Sequence, residues 1–242
     1  MSQATSPSSL TVVLVHGAFA DSSSWAGVIE RLQAAGVPVV AAANPLRGIS
    51  IDSAYVASVF AQVPGPVLAV AHSYGGAVIT NAATRAPNVV GLVYVAAFAP
   101  DEGETLNEVT ASSKVSVLGT ALVPRSYPTG SGTGTEFFID PAKARDAFAA
   151  DLTDAQASVI GVIQRPVADL AFGEPSGVPA WKTLPSWAVV ATGDRAAGTD
   201  VVRAHAERAG AQITEVDGSH VIMISQPQAV VDVIEAAIAK VG

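Results

Sequence analysis

Hydrophobic and polar positions follow two rhythms that take turns along the chain. "LTVVLVHG" is a short β-branched run closed by glycine, the pattern of a strand buried on both faces, and it predicts a strand over 10–15. "DSSSWAGVIERLQAAG" follows, with serines placed to cap, Val28, Ile29 and Leu32 at helical spacing, and Gly36 as a stop. "VPVVAAANP" reads as the next strand, "SIDSAYVASVFAQVPG" as a helix and "PVLAVAHS" as a strand. Residues 76–86 then read as a helix and 89–97, "VVGLVYVAA", as a strand. The period is βα, which predicts the α/β class with a mostly parallel sheet flanked by helices.

The alternation stops at Pro100 and resumes near Ser186. Between them lie acidic "DEGET", the turn-rich "YPTGSGTGTEF" with its Gly/Ser/Thr stretch at 129–135, and two helix-like runs, "DPAKARDAFAADL" and "TDAQASVIGVIQ". After the gap come the strand "SWAVVATGD", a helix near 199–209 and the strand "AQITEVDG". A final helix follows, on which Val230, Val233, Ile234, Ala237, Ile238 and Val241 form one stripe behind Pro227. The expected layout is a flexible tail over 1–9, a core domain from 10–99 and 185–242, and an inserted cap or lid over 100–184. No internal repeat interrupts this plan. In an open parallel sheet the ligand site lies at the carboxyl ends of the strands, so the chemistry is sought there.

Composition narrows the function. The chain has 242 residues, half of them hydrophobic and 14% charged, enough for one substantial core. A formal net charge of −8 argues against nucleic acid and anionic lipid as partners. Having no cysteine, the chain offers no disulfide, thiolate nucleophile or thiolate metal site. The start, "MSQATSPSSL", lacks a basic segment followed by an apolar one, and no apolar run reaches the ~18 residues of a membrane span, so a cytoplasmic location is expected.

Ser73, in "VAHSYGG", stands where a strand gives way to a helix, with Ala71 two before it and Gly75 and Gly76 after it. This is the G-x-S-x-G nucleophile elbow with Ala in place of the first Gly. Small neighbours permit a strained turn that lifts Oγ from the sheet. A lone serine is a poor nucleophile and needs a base and a group to orient that base. Asp194 closes one late strand and His220 follows another, in the chain order this arrangement requires. Of the other histidines, His16 is read as packing, His72 adjoins the serine but points away from it, and His205 is read as solvated on a helix. Asp200 is read as a helix cap and Asp217 as shaping the turn before His220. The amides of Ala18 and Tyr74 are the expected oxyanion donors. Phe19, Phe98 and Trp181 are candidate pocket walls, and Lys182 is read as an exposed cap lysine.

With "LVHGAFADSSSW", "AHSYGG", "TGD" and "DGSH" in place, the sequence resembles the α/β-hydrolases, in particular the small serine esterases that include plant methylesterases, hydroxynitrile lyases and pyrethroid-type carboxylesterases. The resemblance runs from Thr11 to near the end and is loosest in the cap. It implies Ser73 as nucleophile, Asp194 as acid, His220 as base, Ala18 and Tyr74 as oxyanion amides, no cofactor, and a cap over an apolar pocket. The related lyases carry Thr where this chain has Gly17 and Lys where it has Val221, so ester hydrolysis is the implied reaction. The implied partner is a small-molecule ester bound by a monomer or homodimer. Epoxide hydrolases and dehalogenases of that fold use an Asp at the position of Ser73. The alternatives are a ligand-binding receptor that keeps the triad but turns over negligibly, and other triad chemistry such as C–C bond hydrolysis, perhydrolysis or hydroxynitrile lysis.

Overall fold

Residues 12–15, 67–72 and 91–95 are buried on both faces, and such segments are stable only in the middle of a sheet covered by helices. The computed structural model describes residues 10–242; residues 1–9, read above as a flexible tail, lie outside the described residues. β1 (Thr11–Val15), α1 (Ala26–Ala34), β2 (Val39–Ala42), α2 (Ile49–Gln62), β3 (Val67–His72), α3 (Tyr74–Ala82) and β4 (Val89–Val95) alternate. The chain then builds α4 (Leu106–Ala111), β5 (Leu122–Thr129), β6 (Gly132–Ile139), α5 (Ala144–Phe148), α6 (Asp154–Val162), β7 (Val167–Ala168) and α7 (Leu170–Gly173). It closes with β8 (Ser186–Ala191), α8 (Thr199–Arg208), β9 (Gln212–Val216), α9 (Ile222–Ser225) and α10 (Pro227–Val241).

Six strands form one sheet in the order β2-β1-β3-β4-β8-β9, every neighbouring pair parallel. The half-exposed strands β2 and β9 are its edges. α10 starts at Pro227, buries Val230, Val231, Val233, Ile234 and Ala237, and packs on α1 and across β4 and β8; Ile238 and Val241 lie half-buried at the end of that stripe. β2 and β3 flank β1 on opposite sides, so the chain reverses its progress across the sheet between β1 and β3. The carboxyl ends of those two strands open a crevice there.

Between β4 and β8 the structure departs from the sequence pattern. The stretch read as turn-rich is a hairpin of two eight-residue strands, β5 and β6, extended antiparallel by β7. Two prolines interrupt β5 and two glycines open β6, both poor strand residues, and contacts onto and across the hairpin brace it. Arg47 pairs with Glu136 at 2.9 Å and lies over the Tyr127 ring, and Arg125 lies over Phe138. The run over 140–152 is helical only over Ala144–Phe148, where the chain turns Phe148 and Ala149 inward. The strand read to residue 97 ends at Val95 because Ala96 takes φ 44°. Among the described residues no helix is long and apolar enough to cross a membrane.

Leu68, fully buried on the central strand β3, is a measure of how tightly this core is packed. Leu68→Ala is expected to lower unfolding free energy by about 2–5 kcal/mol in urea titration; a loss under about 1 kcal/mol would mean that the central strand is loosely packed.

Candidate active site

At the β3–α3 junction Ser73 adopts φ 54°, ψ −124°, a conformation most residues avoid. Several contacts hold it there. Its amide donates to the Val95 carbonyl at 3.3 Å, and its own carbonyl accepts from the amides of Gly76 at 2.9 Å and Phe98 at 3.2 Å. A Cβ at Gly75 would stand 2.7 Å from the Val15 carbonyl oxygen, and one at Gly76 would run into the Phe98 carbonyl, so only glycine lets α3 approach this closely. Ser73 precedes α3 as its N-cap but makes no side-chain capping bond, which leaves Oγ free.

That hydroxyl lies 2.9 Å from His220 Nε2, and His220 Nδ1 lies 2.8 Å from Asp194 Oδ2. An ionised carboxylate only accepts, so Nδ1 carries the imidazole proton and Nε2 is free to accept from Ser73. The other Asp194 oxygen accepts the amides of Ala196 and Ala197 at 2.8 and 3.0 Å, which fixes the carboxylate where β8 ends. All three groups are buried. A hydroxyl, an imidazole and a carboxylate in that order form a path for moving one proton off Ser73.

Three other groups seat His220. His72 Nε2–H donates to the His220 carbonyl at 2.9 Å, with the two rings 4.6 Å apart, so His72 supports the loop after β9 and does not touch Ser73 Oγ. Phe148 lies 4.9 Å from the His220 ring. Asp151 accepts the Ser219 amide at 2.9 Å and the Ser219 hydroxyl. Phe148 and Asp151 come from the segment between β4 and β8, and sequence reading passed over both because nothing local marks a residue that acts on a partner some seventy positions away.

The loop after β1 closes the other side. His16 Nδ1–H donates to the Gly17 carbonyl at 2.9 Å, and Nε2 accepts the Asn44 amide at 3.0 Å; burial lowers its pKa to about 4. A Cβ at Gly17 would lie 2.7 Å from Ser73 Cβ and 2.9 Å from His72 Nδ1, so the backbone leading to Ala18 lies directly on the serine. Tyr74 opens α3, where an amide has no acceptor within the helix. Phe19 follows Ala18 at φ 62° and packs against Phe148 and Phe172. It lines an apolar cavity of about 100 Å³ with Phe148, Ile160, Ile163, Val221 and Met223.

The remaining candidates lie elsewhere. Phe98 packs its ring against His205, and Trp181 donates to the Pro100 carbonyl and lies beneath Arg208, so the structure places both at a joint away from this cavity. His205 is buried, not solvated: its Nδ1 accepts the Ala99 amide at 3.1 Å, and burial lowers its pKa to about 4. Helical position alone hid this, because α8 turns that face onto the chain leaving β4. Gly198, not Asp200, precedes α8; Asp200 accepts the Ser113 hydroxyl at 2.7 Å and the Lys114 amide at 2.8 Å. Asp217 accepts the Thr192 hydroxyl at 3.2 Å, and Lys182 pairs with Asp101 at 2.6 Å. Among the described residues no three His, Asp or Glu side chains gather as metal ligands would.

A sequence model of the alpha/beta hydrolase family matches residues 12–233. Solved structures with similar folds include polyneuridine aldehyde esterase (TM-score 0.81, 19% identity, covering 95% of this chain and 100% of that one). A pyrethroid hydrolase from Sphingobium faniae superposes with TM-score 0.77 at 20% identity over 96% and 98% of the two chains. A methylesterase from Arabidopsis does so with TM-score 0.78 at 18% identity over 95% and 99%. No curated protein matches the sequence.

Buried neutral histidines make stability depend on pH. An unfolded histidine takes up its proton near 6.5, whereas His16 and His205 resist until about 4, so between those values the unfolded chain binds more protons. Unfolding free energy is therefore expected to fall as pH drops from about 6.5 to 4. Urea titrations across that window check this, and His205→Gln should flatten the slope; an equal slope in the variant would contradict the assignment.

Proposed function

The chain belongs to the alpha/beta hydrolase family, and on that premise we propose that it is a serine hydrolase cleaving carboxylic esters of small to medium apolar substrates through an acyl-enzyme. The observation that carries this is the continuous relay from Ser73 Oγ through His220 to Asp194, with contacts of 2.9 and 2.8 Å. Ser73 Oγ attacks the ester carbonyl while its proton passes to His220 Nε2, and the buried Asp194 carboxylate stabilises the imidazolium that forms. The carbonyl oxygen becomes an oxyanion facing the amides of Ala18 and Tyr74, a kind of donor worth on the order of 3 kcal/mol apiece in the transition state. Collapse breaks the bond to the alcohol, which leaves with the proton from Nε2. Water then gives a proton to Nε2, adds to the acyl carbon and releases the acid, returning the proton to Ser73.

Residues 100–184 act as a cap in this reading, contributing Phe148 and the α6 side of the apolar cavity and tied to the loop after β9 by Asp151 and to α8 by Ser113. The cavity begins beside Phe19 and the His220–Val221 turn, so it suits a hydrocarbon arm of the ester. Val221 and Gly17 supply neither a cation nor a hydroxyl beside the serine, and the 2.7 Å spacing at Gly17 leaves no room for a branched side chain, which favours hydrolysis over cyanide elimination. The proposed partner is a small ester.

A fluorophosphonate should add its mass to Ser73. p-Nitrophenyl esters should be turned over with saturation, and Ser73→Ala should lower kcat roughly a millionfold, to background. Absence of both adduct and turnover in the folded protein would exclude a hydrolase and leave a ligand-binding role. Phe148→Ala enlarges the cavity beside His220 and should raise the octanoate-to-acetate ratio of kcat/KM by about tenfold; an unchanged ratio would remove this cavity as the acyl or alcohol site.

A further inference from the structure

Asp52 is a fully buried carboxylate that this reaction does not use. Burial pushes its pKa above the ordinary carboxylate value, against the hydrogen bonds it receives. The Arg47 guanidinium does not neutralise it and turns instead to Glu136 on β6. A buried acid persists only where donors are supplied to it. The Arg47 amide reaches its two oxygens at 3.0 and 3.1 Å, and the Tyr74 phenol donates to it at 2.7 Å.

Tyr74 is the residue whose amide is assigned to the oxyanion. Its backbone is set by the strained elbow, and its ring, wholly buried, is anchored at the far end by Asp52. The other end of the anchor is the loop over 44–48. There Asn44 donates its amide to His16 Nε2 and its side-chain nitrogen to the His16 carbonyl, both at 3.0 Å, bracing the turn that carries Ala18. Leu46, at φ 62°, accepts the Ala168 amide of β7 at 2.9 Å. One loop therefore reaches both proposed oxyanion segments and the antiparallel sheet.

We propose that Asp52 is a positioning residue: its carboxylate, shared between the Tyr74 phenol and the Arg47 amide, orients the residue-74 amide and ties that orientation to the seating of the antiparallel sheet. The assignment rests on the serine-hydrolase reading. A network that only stabilised the fold would lower the melting temperature and leave the folded enzyme's kcat alone, whereas a positioning network acts on transition-state stabilisation.

The test follows the rate constant of Ser73 phosphonylation by a fluorophosphonate, and kcat and KM for p-nitrophenyl butyrate, in the parent, Tyr74→Phe, Asp52→Asn and the double variant, with folding verified by circular dichroism. Each single change should lower kcat and the phosphonylation rate roughly ten- to hundredfold with KM within about twofold, and the double variant should fall no further than the worse single one. Rates within about twofold of the parent in both single variants, whatever happens to the melting temperature, would overturn the proposal, as would an effect confined to KM. Should the Asp52 variants not fold, Tyr74→Phe, which keeps the buried ring and removes only the phenol donor to Asp52, decides: slowed phosphonylation supports the proposal and a parental rate overturns it. A parent that the phosphonate never labels would overturn the serine-hydrolase reading itself, and this assignment with it.

Discussion

The structure depends on one strained residue. A serine just before a helix ordinarily turns its hydroxyl back onto the amides of the first turn, where it serves as a cap. Ser73 occupies that place without doing so, because its φ of 54° is held by backbone bonds from Gly76 and Phe98 and by the close approach of α3 to β1. The hydroxyl that would have satisfied a helix end is thereby turned toward His220. Strain at this point is stored by the packing of β1, β3 and β4, so the buried centre of the sheet and the placement of one oxygen are the same physical fact.

Much of this was legible in the sequence, and the parts that were not share a cause. The βα rhythm gave the succession of strands and helices, because burial on both faces leaves a continuous apolar run in the chain itself, whereas the reversal between β1 and β3 is set by pairing across the sheet and leaves no mark in that rhythm. Ser73, Asp194 and His220 could be picked out because each ends or follows such a run, and the structure brings them together. The hairpin of β5 and β6 was hidden: prolines and glycines break up its strands, and one of the groups that brace it, Arg47, lies far away in sequence. Phe148 and Asp151 act on His220 and its neighbour Ser219, Asp52 acts on Tyr74, and none of them sits at a spacing or beside a motif that would reveal it. Phe98 and Trp181 pack at a joint with His205 and Arg208, and in sequence an aromatic near a strand end reads the same whether it lines a pocket or fills a joint.

The four histidines show how partners, not residue type, allot the roles. His16 receives an amide on one nitrogen and gives its proton to a carbonyl with the other, so every bond it makes fits the neutral ring, and burial opposes charging it. His72 gives its proton to the carbonyl of His220 and is held far below its ordinary pKa, first by burial and then by the neighbouring His220. His205 accepts an amide, and although Glu104 lies 4.0 Å away, that carboxylate is already gripped by both terminal nitrogens of Arg208, so its pull does not offset burial. His220 alone of the four has a carboxylate on one nitrogen and a hydroxyl on the other. A proton at Nε2 would sit on an imidazole paired with the Asp194 carboxylate at 2.8 Å, whereas His16 and His72 have no carboxylate in hydrogen-bond contact and the Glu104 carboxylate near His205 is held by Arg208. In an interior made mostly of apolar side chains, the carboxylate on Nδ1 is what sets His220 apart from the three histidines whose protonation burial opposes.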